Sequence, residues 1–98
     1  MQPKKLVFVI FEEGIRLDVM EALEQQGIEH YTHWTDLHGS GVTGRKAGNP
    51  VWPGLNDVLL LALDEPAVQP LVEALHALRD SLPITPGLRF IVTDAMFI

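Results

Sequence analysis

The stretch "LVFVIF", residues 6–11, is apolar at every position, and so is "VLLLAL", residues 58–63. β-Branched and aromatic side chains make the first a strand, and its length and bounding residues make the second one too. A strand with one wet face alternates apolar and polar residues. These two do not alternate, so both of their faces must be covered. That requirement organises the rest of the chain.

Working outward, Gly14 breaks the first run. Ile15, Val19, Ala22 and Leu23 then recur at helical spacing over residues 15–26. Gly27 suits the left-handed position that ends a helix. The segment "IEHYTHWTDL", residues 28–37, is rich in Thr, Tyr and Trp and predicts a second strand, with Trp34 in the core. Asp57 leads into the run at 58–63. Asp64-Glu65-Pro66 marks a helix start, with acids near the positive end and a proline where no N–H is needed. Val68, Leu71, Val72, Leu75, Leu78 and Leu82 form its apolar stripe. Pro70 predicts that the regular part begins at or just before it. Pro83 and Pro86-Gly87 end the helix, and "LRFIVT", residues 88–93, is a fourth strand.

The order is β-α-β-β-α-β with no internal linker, so residues 1–98 make a single domain. This is the α+β, ferredoxin-like plan: one four-stranded antiparallel sheet with both helices on one face. Two helices cover one face only. Another copy of the chain is expected to cover the other. The alternative cover is the tail, residues 94–98, which is short for a whole sheet face.

Composition agrees with one small domain. The chain has 98 residues, 47% of them hydrophobic, enough to bury a core. A chain this short leaves much surface exposed, and association is a common remedy. A formal net charge of −6 argues against a nucleic-acid or anionic-membrane binder. There is no cysteine, hence no disulfide, thiolate site or cysteine nucleophile. The apolar run at 6–11 is too short to span a membrane, and Glu12-Glu13 interrupt it where a signal peptide would continue. A cytoplasmic location is expected.

The longest irregular stretch is "HGSGVTGRKAGNPVWPG", residues 38–54, with five of the eight glycines. Gly39-Ser40-Gly41-Val42-Thr43-Gly44 matches G-x-G-x-x-G. The dinucleotide turn needs a helix after its last glycine, where the pyrophosphate sits. Pro50 and Pro53-Gly54 rule that helix out. The same context defeats a P-loop. Consecutive backbone N–H groups in a Gly-rich turn can still form an anion nest, with Arg45 and Lys46 adding charge. The bland reading is an idle hairpin loop, but a loop this long in a small domain is more often functional. Trp52, between Val51 and Pro53, is a candidate partner contact or a plug for its own domain.

The four histidines offer little. On a strand, His30 and His33 would point to opposite faces and share no ion within a chain. His76 belongs on the solvated flank of the second helix. A metal site would need residues from several subunits, with His33, His38 and His30 as candidates. Glu21 and Glu24 read as a solvated helix face. There is no G-x-S-x-G and no isolated carboxylate pair, so catalysis has no support here.

With this order on the page, the chain resembles a PII-like protein, a relative of the PII nitrogen-regulatory signal transducers. The resemblance covers nearly the whole chain. It rests on Ala22-Leu23 and Gly27-Ile28 at the end of the first helix, then Gly39-Ser40-Gly41 after the second strand. "VEALHAL" resembles the family's second helix. Residues 42–53 stand in the place of its long T-loop. Pro86-Gly87-Leu88-Arg89-Phe90 stand in the place of its nucleotide-binding B-loop.

The resemblance implies a homotrimer with a small anionic effector in clefts between subunits, an adenine nucleotide being one candidate. It also implies a T-loop that reports the effector to a membrane transporter or enzyme. Gly39, Gly41 and Gly87 carry over as positions of close backbone approach; Arg89, Arg45 and Lys46 are candidates for anion contacts. Leu88 stands where the family has a phosphate-binding lysine. The T-loop's modified tyrosine has no counterpart, since Tyr31 is the chain's one tyrosine. The family's C-terminal arginines are also missing from residues 94–98. A second implied reading is a trimeric metal-binding protein of the CutA type, linked to heavy-metal tolerance or efflux.

Overall fold

The two unbroken apolar runs lie side by side at the centre of one sheet. The structure, a computed structural model, describes residues 1–38 and 55–98. Strand β1 (Gln2–Glu12) leads through a 3-10 turn (Glu13–Ile15) into helix α1 (Arg16–Gln25). Then come β2 (Thr32–His38), β3 (Leu55–Leu63), α2 (Glu65–Ser81) and β4 (Leu88–Phe97). The sheet order is β2-β3-β1-β4 and every pairing is antiparallel. This is the ferredoxin-like arrangement expected from the sequence.

The register sorts the apolar residues by face. Val7, Val9 and Phe11 of β1 and Leu59, Leu61 and Leu63 of β3 are buried. They share the core with Ile15, Val19, Ala22 and Leu23 from the α1 side, and with Leu71 and Leu75 of α2. The alternate residues, Leu6, Phe8, Ile10, Val58, Leu60 and Ala62, line the opposite face and stay partly exposed. Trp34 and Ile91 extend this face onto the outer strands, 42% and 48% exposed. Trp34 is therefore not core. It pairs with Val58, whose side chain shares the open face.

The tail does not provide a cover. Residues 94–97 continue β4, pairing with Gln2–Lys5 in register. The β1–β4 ribbon thus runs three residue pairs beyond Lys5↔Leu63, the last pairing of β3. Two-stranded ribbons are marginal alone. Here Lys5 pairs with Asp94 across the ladder, and Lys4 lies 5.8 Å from the Phe97 ring centroid. The Asp94 carboxylate raises the Lys5 pKa. Two opposed charges thus let "DAM" extend a strand that propensity alone would stop.

Three local expectations change. Strand β2 starts at Thr32, so Ile28–Tyr31 are a connection and His30 is not on a strand. Helix α2 starts at Glu65 and runs through Pro70 without a break. Pro70 forfeits one backbone hydrogen bond there, while Leu71 and Leu75 on either side of the next turn are fully buried and hold the helix down. His76 packs edge-on against Phe90 of β4, with ring centroids 5.2 Å apart, rather than standing free on a wet flank.

Gly27 closes α1 at φ 72°, and its N–H bonds the Glu24 carbonyl. A Cβ at this position would meet nothing within 4 Å. The penalty of a side chain is therefore conformational alone. Gly27→Ala is expected to lower unfolding free energy by about 1 kcal/mol, read from the midpoint of a urea melt. An unchanged midpoint would show that the left-handed closure is not needed.

Candidate functional site

One end of the sheet gathers the residues singled out by the sequence. Strand β2 leaves it at His38, which pairs with Leu55, where β3 re-enters. Glu12 at the end of β1 pairs with Asn56, and Phe11 pairs with Leu88 at the start of β4. The Glu12 N–H donates to the Gly87 carbonyl at 3.1 Å, which ties the turn before β4 to β1. Arg89 is exposed on the open face beside its partner Ile10. Gly87, Arg89 and His38 therefore share this end of the sheet with both bases of the 39–54 segment. Gly39, Gly41, Arg45, Lys46 and Trp52 lie outside the described residues.

Directly beneath that end is a cluster the sequence reading missed. Asp57, on the helix side of β3, is fully buried. Arg16, the first residue of α1, grips it through both oxygens: Nε to Oδ2 at 2.5 Å and Nη2 to Oδ1 at 2.8 Å. His33 Nε2 lies 2.7 Å from Oδ2. Every buried side-chain nitrogen and oxygen among the described residues has a partner. Burial alone would raise the Asp57 pKa, but the hydrogen bonds from Arg16 and His33 outweigh it and hold the carboxyl below its ordinary value. The same carboxylate holds the Arg16 pKa above its ordinary value. With Asp57 ionised, His33 Nε2 must carry the hydrogen and donate it.

The cluster fixes the base of the loop. Arg16 also lies 3.9 Å from Asp36, an exposed residue at φ 60°. Asp36 sits in the bulge between the Trp34↔Val58 and Leu37↔Asn56 pairings. An aspartate tolerates the left-handed region better than most residues, and the extra residue turns the end of β2 just before His38. Arg16 thus joins α1, β3 and the bulge.

The metal candidates are not gathered in one chain. Among the described residues, no group of three or more His, Cys, Asp or Glu is placed to hold a metal ion. His33 presents its Nε2 to Asp57, a carboxylate already neutralised by Arg16. His30 lies before β2 and His38 at its far end.

No protein-family model matches the sequence, and no curated protein matches it by sequence. Solved structures do match. CPII, a nitrogen regulatory PII-like protein from Thiomonas intermedia K12, bound to ADP, AMP and bicarbonate, superposes with a TM-score of 0.75 at 22% identity. The match covers 96% of this chain and 91% of that one. The apo form of CPII matches with a TM-score of 0.64 at 18% identity, covering 97% and 96%. A PII-like signalling protein from Thermus thermophilus matches with a TM-score of 0.61 at 20% identity, covering 95% and 87%. The chain has the fold of the PII-like proteins over nearly its whole length.

Proposed function

We propose that this chain is a cytoplasmic, PII-like regulatory protein that binds a small anionic effector between subunits of a homotrimer. An adenine nucleotide is the first candidate. The observation that carries the reading is the match to CPII over 96% of the chain, since that protein was captured with ADP, AMP and bicarbonate. The clustering of Gly87, Arg89 and the two loop bases at one sheet end supports it. Gly39, Gly41 and Gly87 would let the backbone approach the ligand, and Arg89, Arg45 and Lys46 would face its charge. Leu88 stands in place of the family's lysine on the core side of β4, so the cationic contact would fall to Arg89, one residue on and on the open face. The 38–54 loop, with Trp52 as its anchor, would report occupancy to a membrane transporter or enzyme. Among the described residues no helix is long and apolar enough to cross a membrane.

The open sheet face supports assembly. An apolar face of this extent, running from Trp34 across Val58, Leu60, Phe8 and Ile91, is rarely left to water.

A thermal-shift panel of ADP, AMP, ATP, bicarbonate and acetate tests the effector. A ligand at a hundred times its Kd adds about 2.7 kcal/mol, a rise of several degrees for a domain this size. Arg89→Ala should remove most of the rise. A rise undiminished in that variant would move the site elsewhere.

A further inference from the structure

One oxygen of the buried cluster serves two donors. Asp57 Oδ2 accepts from Arg16 Nε at 2.5 Å and from His33 Nε2 at 2.7 Å. Arg16 Nη2, bonded to Asp57 Oδ1 at 2.8 Å, is also the nitrogen that lies 3.9 Å from Asp36 Oδ1. One guanidinium is thus divided between a buried aspartate, which holds it closely, and an exposed one, which holds it loosely. Asp36 sits at φ 60°, a conformation that costs an L-residue, so a firmer bond to its side chain bears directly on the backbone there.

The charges around His33 come from several elements. Asp57 faces it from β3 and Arg16 from α1. Asp36 of β2 and Glu13 of the 3-10 turn act on it through Arg16. The rings of Phe11 and Tyr31 flank the imidazole, at centroid distances of 6.3 and 6.4 Å. While the imidazole is neutral, Arg16 is the one cation set against Asp57 and Asp36. An imidazole is the side chain that gains a proton nearest neutrality. Once charged, it strengthens its own bond to Asp57, and two cations then contest Oδ2. Asp57 is fully buried and the imidazole is flanked by rings, whereas Arg16 keeps 36% of its side chain exposed. Arg16 is the member with room to shift, and Asp36 is the carboxylate within reach.

We infer that His33 is a proton-operated switch on the end of β2: its protonation loosens Arg16 from Asp57 and draws it onto Asp36, tightening the bulge that sets the course of residues 36–38. The neutral state leaves Asp36 to water. The charged state gives each aspartate its own cation. The inference does not depend on the effector reading, and loss of a nucleotide response would leave it standing.

The test is an NMR titration of the full, isotope-labelled chain from about pH 8 to pH 5, a window in which carboxylates ordinarily stay ionised. The Arg16 Nε signal and the amides of Asp36, Leu37 and His38 should shift with the midpoint of the His33 ring. His33→Gln keeps an N–H donor without a titrating proton and should abolish those shifts. Asp36→Asn should leave the His33 titration in place and remove the Arg16 response. His38 lies beside the same amides, so His38→Gln is the control and should leave the Arg16 response as in the parent. Circular dichroism melts check that each variant is folded. Should His33→Gln not fold, the match of midpoints in the parent and its loss at Arg16 in Asp36→Asn decide the matter. Amides 36–38 that stay still through the His33 titration would overturn the proposal. So would shifts that follow His30 or His38 instead, shifts that survive His33→Gln, or a His33 ring that stays neutral down to pH 5.

Discussion

A Phe8→Glu variant is expected to scatter light as a folded monomer, and the parent, on the proposed assembly, as three times the 10.9 kDa chain mass. Phe8 is central to the open face, between Leu60 of β3 and Ile91 of β4. It lies opposite the core residues Val7 and Val9, so the change leaves each chain's own core intact. In the proposed trimer, a glutamate there would be buried against a neighbouring apolar face, with Arg89 diagonal to it toward the end of the same face. Taking a charge out of water in this way costs several kcal/mol per site even with an exposed cation near it, and the proposed trimer would contain three such sites. Circular dichroism separates dissociation from unfolding. A parent protein that is monomeric at micromolar concentration would contradict the proposed assembly outright.

The second large effect concerns the buried cluster. Asp57→Ala is expected to destabilise the fold by about 3 kcal/mol, the low end of what breaking a buried ion pair costs. The low end applies because Arg16 keeps access to water, with 36% of its side chain exposed. His33 loses its acceptor in the same step, and the ring that Tyr31 meets is no longer anchored. Asp57→Asn keeps the shape without the charge and should fall between the two proteins. A urea melt measures all three, and an Asp57→Ala midpoint within error of the parent would show that the cluster contributes nothing.

The same carboxylate predicts a pH dependence. Its pKa is lower folded than unfolded, so the unfolded chain binds the proton more readily. Its contribution is present in full above the ordinary carboxylate range. It is lost as pH falls through that range toward the lower folded value. The parent should therefore lose stability more steeply between about pH 5 and pH 3 than Asp57→Asn does. Matching slopes in the two proteins would remove Asp57 as the cause.

The contrast between what was legible and what was not has a physical basis. Unbroken apolar runs at 6–11 and 58–63 announced central strands and an uncovered face because burial is written in local composition. Gly27 announced a helix end because few residues tolerate its φ. The extension of β4 past Thr93 depends on Lys5 and Lys4, which only pairing brings alongside Asp94 and Phe97. The persistence of α2 through Pro70 depends on the depth at which Leu71 and Leu75 are buried. The cluster was hidden for the same reason: Arg16 and His33 are 41 and 24 residues from Asp57. One signal did point to it. Asp57 shares the parity of Leu59, Leu61 and Leu63, so once those face the core an acid among them demands a cation. The proposal of Gly87 and Arg89 as effector contacts rests on resemblance alone, because backbone approach and a lone surface arginine have no pattern of their own.

Isothermal titration of ADP into the assembled protein tests the central claim most directly. Saturable binding at one site per chain, abolished or weakened at least tenfold in Arg89→Ala, is the predicted result. A confirmed trimer that gives no heat with ADP, AMP or ATP, with or without bicarbonate, would contradict it.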